Sequence, residues 1–174
     1  AFHQANFMSQ RWLVKHSSIQ NIKRFIYIGT PSIYFDYTTR LGITEADHIP
    51  SKMVNHYATT KWEAEKYLTA SDLEYVILRP RAMIGAGDTV ILPRLIRSHK
   101  EGKLRIMGNG KNVADLTPVS NFIDAIWLAM TTHKENCNTD YNISNGDSEQ
   151  LWPNIQRVLT TIGMQPMTKK TPYW

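Results

Sequence analysis

The chain has little cysteine and no long apolar run, and each absence excludes a class of protein. Cys137 is the single cysteine among 174 residues, which excludes an internal disulfide framework and a multi-thiolate metal site and favours a reducing compartment. No apolar stretch approaches the ~20 residues that cross a bilayer, and the first residues lack the charged and apolar regions of a signal peptide. We therefore expect a cytoplasmic protein without a membrane span, with Cys137 as a small buried apolar residue.

The sequence also lacks a glycine-rich dinucleotide loop and a metal-binding motif. Gly108 and Gly110 flank Asn109 late in the chain, without the third glycine or the strand-to-helix context that a dinucleotide loop needs. Because Asn-Gly is typical of turns, we interpret this segment as a turn. The histidines form no helix-spaced ligand pair and no HExxH motif, so no metal site is predicted.

The pattern of charge argues against a nucleic-acid partner. The formal net charge is +5, but the lysines and arginines are scattered along the sequence, and no aromatic RNA-binding or zinc-finger pattern accompanies them. A hydrophobic fraction of 42% in 174 residues is enough for one domain with a core. A cleft that attracts phosphate is a milder interpretation of the positive charge.

Apolar spacing predicts helices that alternate with short buried strands. Helical spacing covers residues 1–14, 57–68, 90–96, 122–130 and 151–162. Extended apolar segments cover residues 25–28, 75–78, 104–107 and 141–143. The order strand, helix, strand over residues 25–78 predicts a parallel crossover unit, and the fold class is α/β. The polar segment 35–54 is long enough to be a functional loop that covers a ligand.

Three side chains could form a proton-transfer site. Thr30 follows the strand predicted at 25–28, and open α/β sheets bind ligands beyond the carboxyl ends of their strands. Lys61 lies one helical turn after Tyr57, where its ammonium would favour the phenolate and lower the tyrosine pKa from its usual value of about 10. A tyrosine tuned in this way can act as an acid or a base, and Thr30 can donate a hydrogen bond to a substrate oxygen.

Each of these residues also has an ordinary structural interpretation when taken alone. Thr30 could simply cap local structure, Tyr57 could be a common residue at a helix start, and Lys61 could be a solvated charge. A tyrosine followed four residues later by a lysine is close to a chance pattern without structural context. The combination, in order along the chain, favours catalysis.

Several segments together resemble one enzyme family. They are Ile28-Gly29-Thr30-Pro31-Ser32-Ile33-Tyr34, Tyr57-Ala58-Thr59-Thr60-Lys61 and Leu78-Arg79-Pro80-Arg81 with the residues that follow to Asp88. All three resemble motifs of the extended short-chain dehydrogenase/reductase family. The blocks 108–125 and 141–146, with Trp152, are most similar to its 3β-hydroxysteroid dehydrogenase and sterol-carboxylate dehydrogenase branch.

The resemblance implies a fold and a set of site residues. The fold is the C-terminal portion of a Rossmann-like doubly wound parallel sheet with a small substrate-binding region. Thr30, Tyr57 and Lys61 would be catalytic, Thr30 and Ser32 would bind substrate, and Tyr57, Lys61, Pro80 and Arg81 would contact NAD or NADP. Asn6 corresponds to an asparagine that the family often carries near its active site, although a lone helical asparagine is more often a local hydrogen-bonding residue.

The resemblance also implies the organisation and the activity. We expect one α/β domain over 1–174, with the catalytic half of the sheet in 1–80 and substrate-binding and remaining sheet elements in 81–174. Because the helical pattern is already under way at Ala1, we expect a fragment of a longer protein, which could dimerise through the helices of 1–14 and 57–68.

The favoured function is NAD(P)-dependent interconversion of a hydroxyl and a ketone on a small, sterol-like substrate. A nucleotide-sugar epimerase or dehydratase, which uses the same catalytic residues, is the first alternative. A catalytically silent fragment is the second, because the glycine-rich phosphate loop is missing.

Overall fold

A computed structural model describes residues 1–172, in which helices and strands alternate. The α-helices are α1 (Ser9–Ile19), α2 (His56–Thr69), α3 (Ile91–Lys100), α4 (Val119–Thr131) and α5 (Leu151–Thr161). The strands are β1 (Phe25–Ile28), β2 (Tyr75–Pro80), β3 (Met83–Ile84), β4 (Ile106–Met107), β5 (Val113–Asp115), β6 (Thr117–Pro118), β7 (Thr139–Ile143), β8 (Ser148–Gln150) and β9 (Lys170–Thr171). A π-helical segment (His3–Met8) precedes α1, and short 3₁₀ helices span Pro31–Tyr34 and Lys134–Asn136.

The three longest strands form a parallel sheet in the order β1-β2-β7. Ile28 aligns with Leu78 across the first pair, and Leu78 aligns with Tyr141 across the second. All the carboxyl ends therefore lie at one edge of the sheet, and α2 is the crossover between β1 and β2. The predicted parallel crossover unit is confirmed.

Helices cover both faces of this sheet. Val76 and Leu78 of the central strand pack with Phe122 and Ala129 of α4, whereas Ile77 packs on the opposite side with residues of α1 and α2. Successive residues of a strand face opposite sides, so a strand covered on both faces is apolar at every position. This arrangement confirms the doubly wound α/β class. Cys137 is buried in the α4 cluster, as predicted.

The chain divides into two compact units. The first unit comprises residues Ala1–Arg81 and Phe122–Ile143, and the second comprises Ala82–Asn121 and the residues from Ser144 onward. The first change of unit is at Arg81, and residues 122–143, from the part expected to hold substrate-binding and remaining sheet elements, belong to the first unit. The organisation of 1–174 as one domain stays a prediction.

The second unit is built from short strand pairs and an apolar cluster. The pairs are β3 with β6, β4 with β9, and β5 with β8, of which the last is antiparallel. Trp152, Ile155 and Leu159 of α5 pack with Met167 and with apolar residues of α3. Each of these strands is only two or three residues long, which is too short for an apolar periodicity. Each strand is therefore determined by its pairing with a segment that is distant in the sequence.

Two predicted elements differ in detail from the structure. The strand predicted at 104–107 is shortened to β4, because the N–H groups of Lys103 and Leu104 donate to the Ser98 carbonyl and close the end of α3 instead. The first predicted helix begins with a π-helical segment. None of the helices within residues 1–172 is long and apolar enough to cross a membrane.

Candidate active site

Thr30 lies just beyond the carboxyl end of β1, where the sequence predicted it. The N–H of the preceding residue, Gly29, donates to the Leu78 carbonyl at 2.8 Å and continues the pairing with β2. Thr30 is extended and buried, and its hydroxyl oxygen accepts the Ser32 N–H at 3.3 Å, capping the helix Pro31–Tyr34. Its hydroxyl also donates to Ser32 Oγ at 3.1 Å. Thr30 therefore has the local capping role, and its contact with a substrate stays a prediction.

Tyr57 and Lys61 lie on the first two turns of α2. Asn55 caps this helix, since its side-chain oxygen accepts the Ala58 N–H at 2.8 Å. Tyr57 is half-buried and packs edge-on against Phe2, with ring centroids 5.8 Å apart. The cap and the aromatic contact determine where the phenol is held.

The Lys61 side chain points to the end of β1. Its ammonium donates to the Ile28 carbonyl at 2.6 Å and lies 4.6 Å from the centroid of the Tyr27 ring. Burial lowers the pKa of Lys61, and the Glu65 carboxylate opposes that shift. Within residues 1–172 no hydrogen bond joins Lys61 to the Tyr57 oxygen. The structure thus brings Lys61 to the strand end that precedes Thr30, and support of a Tyr57 phenolate by Lys61 stays a prediction.

Asn6 makes a specific contact with the same helix. Its Nδ2 donates to Thr60 Oγ1 at 3.0 Å, and the Thr60 hydroxyl itself donates to the His56 carbonyl at 2.9 Å. Asn6 lies in the π-helical segment, whose wider turn directs side chains differently from an α-helix. This contact holds the N-terminal segment against the first turns of α2.

Pro80 and Arg81 lie at the end of the neighbouring strand. Pro80 is the last residue of β2, and the Arg81 N–H donates to the Ile143 carbonyl at 2.9 Å. Parallel pairing places this end beside the end of β1. Thr30, Pro80 and Arg81 therefore lie at one sheet edge, with the Arg81 side chain exposed.

A buried ionic network beneath this edge was not identified from the sequence. Arg79, which is 3% exposed, donates through Nη2 to Glu65 Oε2 at 2.7 Å, and Glu65 is fully buried. The second terminal nitrogen of Arg79 donates to the Tyr34 hydroxyl and to Asp140. Burial raises the pKa of Glu65, and the Arg79 guanidinium opposes that shift. The network joins α2, β2, β7 and the helix that Thr30 caps.

Gly29 lies between this ionic network and Thr30, where there is no room for a side chain. A Cβ added at Gly29 would lie 2.4 Å from Glu65 Oε1 and 3.0 Å from Arg79 Cγ. Close approach of two charged side chains to the backbone therefore requires glycine at this position. The signal in the sequence was an arginine inside an apolar strand and a glutamate on the inner stripe of α2, since a buried charge needs a partner.

The second unit contains a cavity of about 470 Å³. Its walls are mainly apolar side chains of α3 and α5, namely Ile91, Leu92, Leu95, Ile155, Val158 and Leu159. The charged lining residues are Asp88, Asp147, Glu149 and Arg157, so carboxylates outnumber cations. A cavity of this size, largely apolar with a few polar groups, is typical of a small-molecule site. Within residues 1–172 no cluster of His, Cys, Asp and Glu could hold a metal ion.

Comparison with known proteins identifies the family. The family model of the NAD dependent epimerase/dehydratase family matches residues 1–144. The chain belongs to this family. The resemblance to extended short-chain dehydrogenases/reductases and their sterol dehydrogenase branch is thereby confirmed.

Relatives of this family match nearly the whole chain. A 2-alkyl-3-oxoalkanoate reductase of Stenotrophomonas maltophilia (strain K279a) is 31% identical over 185 residues, which are 99% of this chain and 56% of the relative. A sterol-4-alpha-carboxylate 3-dehydrogenase, decarboxylating, of Bos taurus is 26% identical over 182 residues, 99% of this chain and 51% of the relative. The chain spans about half the length of the curated relatives it matches.

The fold is also found in solved structures of other proteins. The structure of MoeE5 in complex with UDP-glucuronic acid and NAD matches with a TM-score of 0.77 at 22% sequence identity, over 96% of this chain and 57% of that chain. At this identity the match supports the fold alone. It agrees with the Rossmann-like parallel sheet predicted from the sequence.

Proposed function

We propose that this chain carries the proton-transfer half of an NAD- or NADP-dependent oxidoreductase. The reaction would interconvert a hydroxyl and a ketone on a small, apolar, sterol-like substrate in the cytoplasm. The observation that carries the proposal is the arrangement at the end of β1, where Thr30 follows the strand and the Lys61 ammonium binds its last carbonyl. Tyr57 lies in the first turn of α2, the helix that also carries Lys61.

In the proposed mechanism Tyr57 exchanges a proton with the substrate oxygen. Its phenol would donate to a developing alkoxide in reduction and accept the hydroxyl proton in oxidation. The Lys61 ammonium would add positive charge near this step and bind a ribose hydroxyl of the cofactor. The nicotinamide would supply or accept the hydride. A half-buried ammonium at a strand end suits a polar ribose, so the residues present fit the cofactor.

Thr30 and Ser32 would orient the reacting oxygen as a pair. The Thr30 hydroxyl already donates to Ser32 Oγ at 3.1 Å. The Ser32 hydroxyl hydrogen is accepted by no described residue, so Ser32 would donate it to the substrate oxygen. Two positioned donors, Tyr57 and Ser32, would then stabilise the charge that develops on this oxygen. Pro80 and Arg81 would contact the nicotinamide side of the cofactor.

The second unit favours an apolar substrate over a sugar nucleotide. A diphosphate carries negative charge and needs cationic or N–H donors. The cavity instead presents Asp88, Asp147 and Glu149 against Arg157 alone, around apolar walls. The names of two relatives, an alkyl-oxoalkanoate reductase and a sterol dehydrogenase, agree with an apolar substrate that carries an oxygen to be oxidised or reduced.

Two other functions have specific support. A nucleotide-sugar epimerase or dehydratase is supported by the match of residues 1–144 to the NAD dependent epimerase/dehydratase family. A catalytically silent fragment is supported by the lack of a glycine-rich phosphate loop in the sequence.

A homodimer through α1 and α2 is supported by two exposed apolar residues of α1, Trp12 and Leu13. Light scattering that finds only monomer would contradict this dimer.

The test is NAD(P)H turnover with a keto sterol, a 2-alkyl-3-oxoalkanoate and, separately, isomerisation of UDP-glucose. In a protein that contains this chain joined to a dinucleotide-binding half, Tyr57→Phe should reduce turnover by about 10²–10⁴-fold, because it deletes the proton donor. Tyr67→Phe is the matched control, since Tyr67 lies on the same helix more than two turns away and packs through its ring against Phe7. Unchanged turnover in Tyr57→Phe would contradict the mechanism, and isomerisation without net cofactor oxidation would favour the epimerase.

A further inference from the structure

Helix α3 of the second unit has a cationic outer face. Arg94, Arg97 and Lys100 are exposed, and their spacing places them on the side of the helix away from the cavity walls Leu92 and Leu95. The first turn of α3 has no acidic residue. The helix is therefore amphipathic, with the cavity on one side and positive charge on the other.

Folding extends this charge beyond the helix. The chain turns back after α3, which brings Lys103 and Arg105 next to its end, and β4 pairs with β9, which carries Lys170. The Lys169 ammonium lies 3.6 Å from the position of a Cβ at Gly102. We define the α3 basic surface by its seven members, all exposed: Arg94, Arg97, Lys100, Lys103, Arg105, Lys169 and Lys170.

The α3 basic surface carries little compensating charge. Lys103 pairs with Glu101 at 2.7 Å, and the other six cations form no ion pair within residues 1–172. Uncompensated exposed cations attract an extended anionic partner, and the attraction weakens as salt rises. Folding therefore brings cations that are distant in the sequence, in 94–105 and 169–170, into neighbouring segments of the second unit.

The chemistry around these cations favours a lipid surface over nucleic acid. Val90, which is 67% exposed, and the exposed Pro93 lie among the cations as small apolar groups. Within residues 1–172, none of the side chains that define this surface is aromatic, whereas proteins that bind single-stranded nucleic acid stack bases on aromatic residues. The opposite side of α3 lines an apolar cavity, and bilayers are the source of water-insoluble ligands.

We propose that the α3 basic surface docks on an anionic phospholipid bilayer. Lysines and arginines near such a surface each strengthen binding severalfold, so six unpaired cations are sufficient for reversible association. The chain would remain peripheral, because α3 buries its apolar side within the second unit and leaves only Val90 and Pro93 to contact lipid. Docking would hold the cavity unit close to its apolar ligands.

The experiment is co-sedimentation of the 174-residue chain with vesicles. Vesicles of phosphatidylcholine and phosphatidylserine in equal parts are compared with vesicles of phosphatidylcholine alone, at low and high salt. The test variant removes four charges of the surface, Arg94→Gln, Arg105→Gln, Lys169→Gln and Lys170→Gln. These positions lie outside the last turn of α3, whose cations stabilise the helix end. The control variant removes four exposed charges of the first unit, Lys15→Gln, Lys23→Gln, Lys52→Gln and Lys134→Gln.

We expect binding to the anionic vesicles only, weakened by salt and reduced by about tenfold or more in the test variant. The control variant, with the same net charge, should lose much less. Equal losses in the two variants, or no binding by the original chain, would overturn the proposal. Tighter binding to single-stranded RNA that is lost in the test variant would also overturn it, because the surface would then recognise nucleic acid. Circular dichroism of each variant verifies that the fold is kept.

Discussion

The two units differ in what they place in their interiors. The first unit buries a charged pair, Glu65 and Arg79, directly beneath its candidate catalytic edge. The second unit lines a cavity mainly with aliphatic side chains and leaves its cations exposed, including Arg157 at the cavity wall. The first unit thus provides polar groups held in fixed positions, whereas the second provides an apolar space.

Each arrangement has its own physical requirement. A buried ion pair loses hydration, and it is tolerated only when both partners remain in place with good hydrogen bonds. Aliphatic walls have no directional requirement, so they can accept ligands of varied shape. The first unit should therefore be sensitive to single charge deletions, and the second to loss of packed volume.

The largest expected effect is in the buried pair of the first unit. Glu65→Ala should reduce the free energy of unfolding by about 3–5 kcal/mol, because it leaves the Arg79 guanidinium buried with its main partner removed. Urea denaturation measures the change, and hydrogen exchange should show the loss of protection in β1 and β2.

The double variant Glu65→Leu with Arg79→Met is the matched comparison for this prediction. It removes both charges and retains most of the volume, so it should be less destabilising than Glu65→Ala. Asp140, whose side chain is 31% exposed, can regain water when Arg79 is replaced. A double variant that unfolds more easily than the single one would show that the network contributes more than charge pairing.

A smaller but substantial effect is expected in the second unit. Leu159, 1% exposed, packs with Trp152 and Ile155 and lines the cavity. Leu159→Ala should cost about 2–5 kcal/mol of unfolding free energy, measured in urea.

Ile162→Ala is the control for this packing effect, since Ile162 follows α5 and is 49% exposed. It should cost much less than Leu159→Ala. Equal costs would contradict the assignment of Leu159 to a packed core and would weaken the contrast between the units.

The smallest expected effect is the acid sensitivity of α3. The N–H groups of Leu92, Val90 and Ile91 donate to the Asp88 carboxylate and hold its pKa below the usual carboxyl value. Because the pKa is lowered in the folded state, this stability is present above the ordinary value of about 3.9 and is lost as pH falls through the lower folded value.

Asp88→Asn removes the titrating group of this cap. The urea midpoint of the variant should therefore fall less on acidification than that of the original chain, by a small margin. Asp88→Ser retains a capping oxygen without a charge and should behave like Asp88→Asn. A variant with the same acid profile as the original chain would show that Asp88 does not contribute to the pH dependence.

Apolar patterning in the sequence was sufficient for the main elements. Strand 25–28 matches β1 at both ends, helix 57–68 lies within α2, and their parallel connection is confirmed, because local spacing determines which face of each element is apolar. Apart from β4, which lies within the predicted strand 104–107, the two- and three-residue strands were not predicted, since their pairing partners are distant in the chain. The same reason applies to the Glu65–Arg79–Asp140 network, which joins three separate elements.

The sequence by itself determined the α/β class, the parallel crossover and the order of Thr30, Tyr57 and Lys61 along it. Only the tertiary structure decided that Lys61 binds the Ile28 carbonyl, that the cations of α3 are exposed and that the second unit contains a cavity. Periodicity reports the burial of one face of one element. Contacts and cavities depend on how several elements pack, and the periodicity of one element does not identify the partners of its side chains.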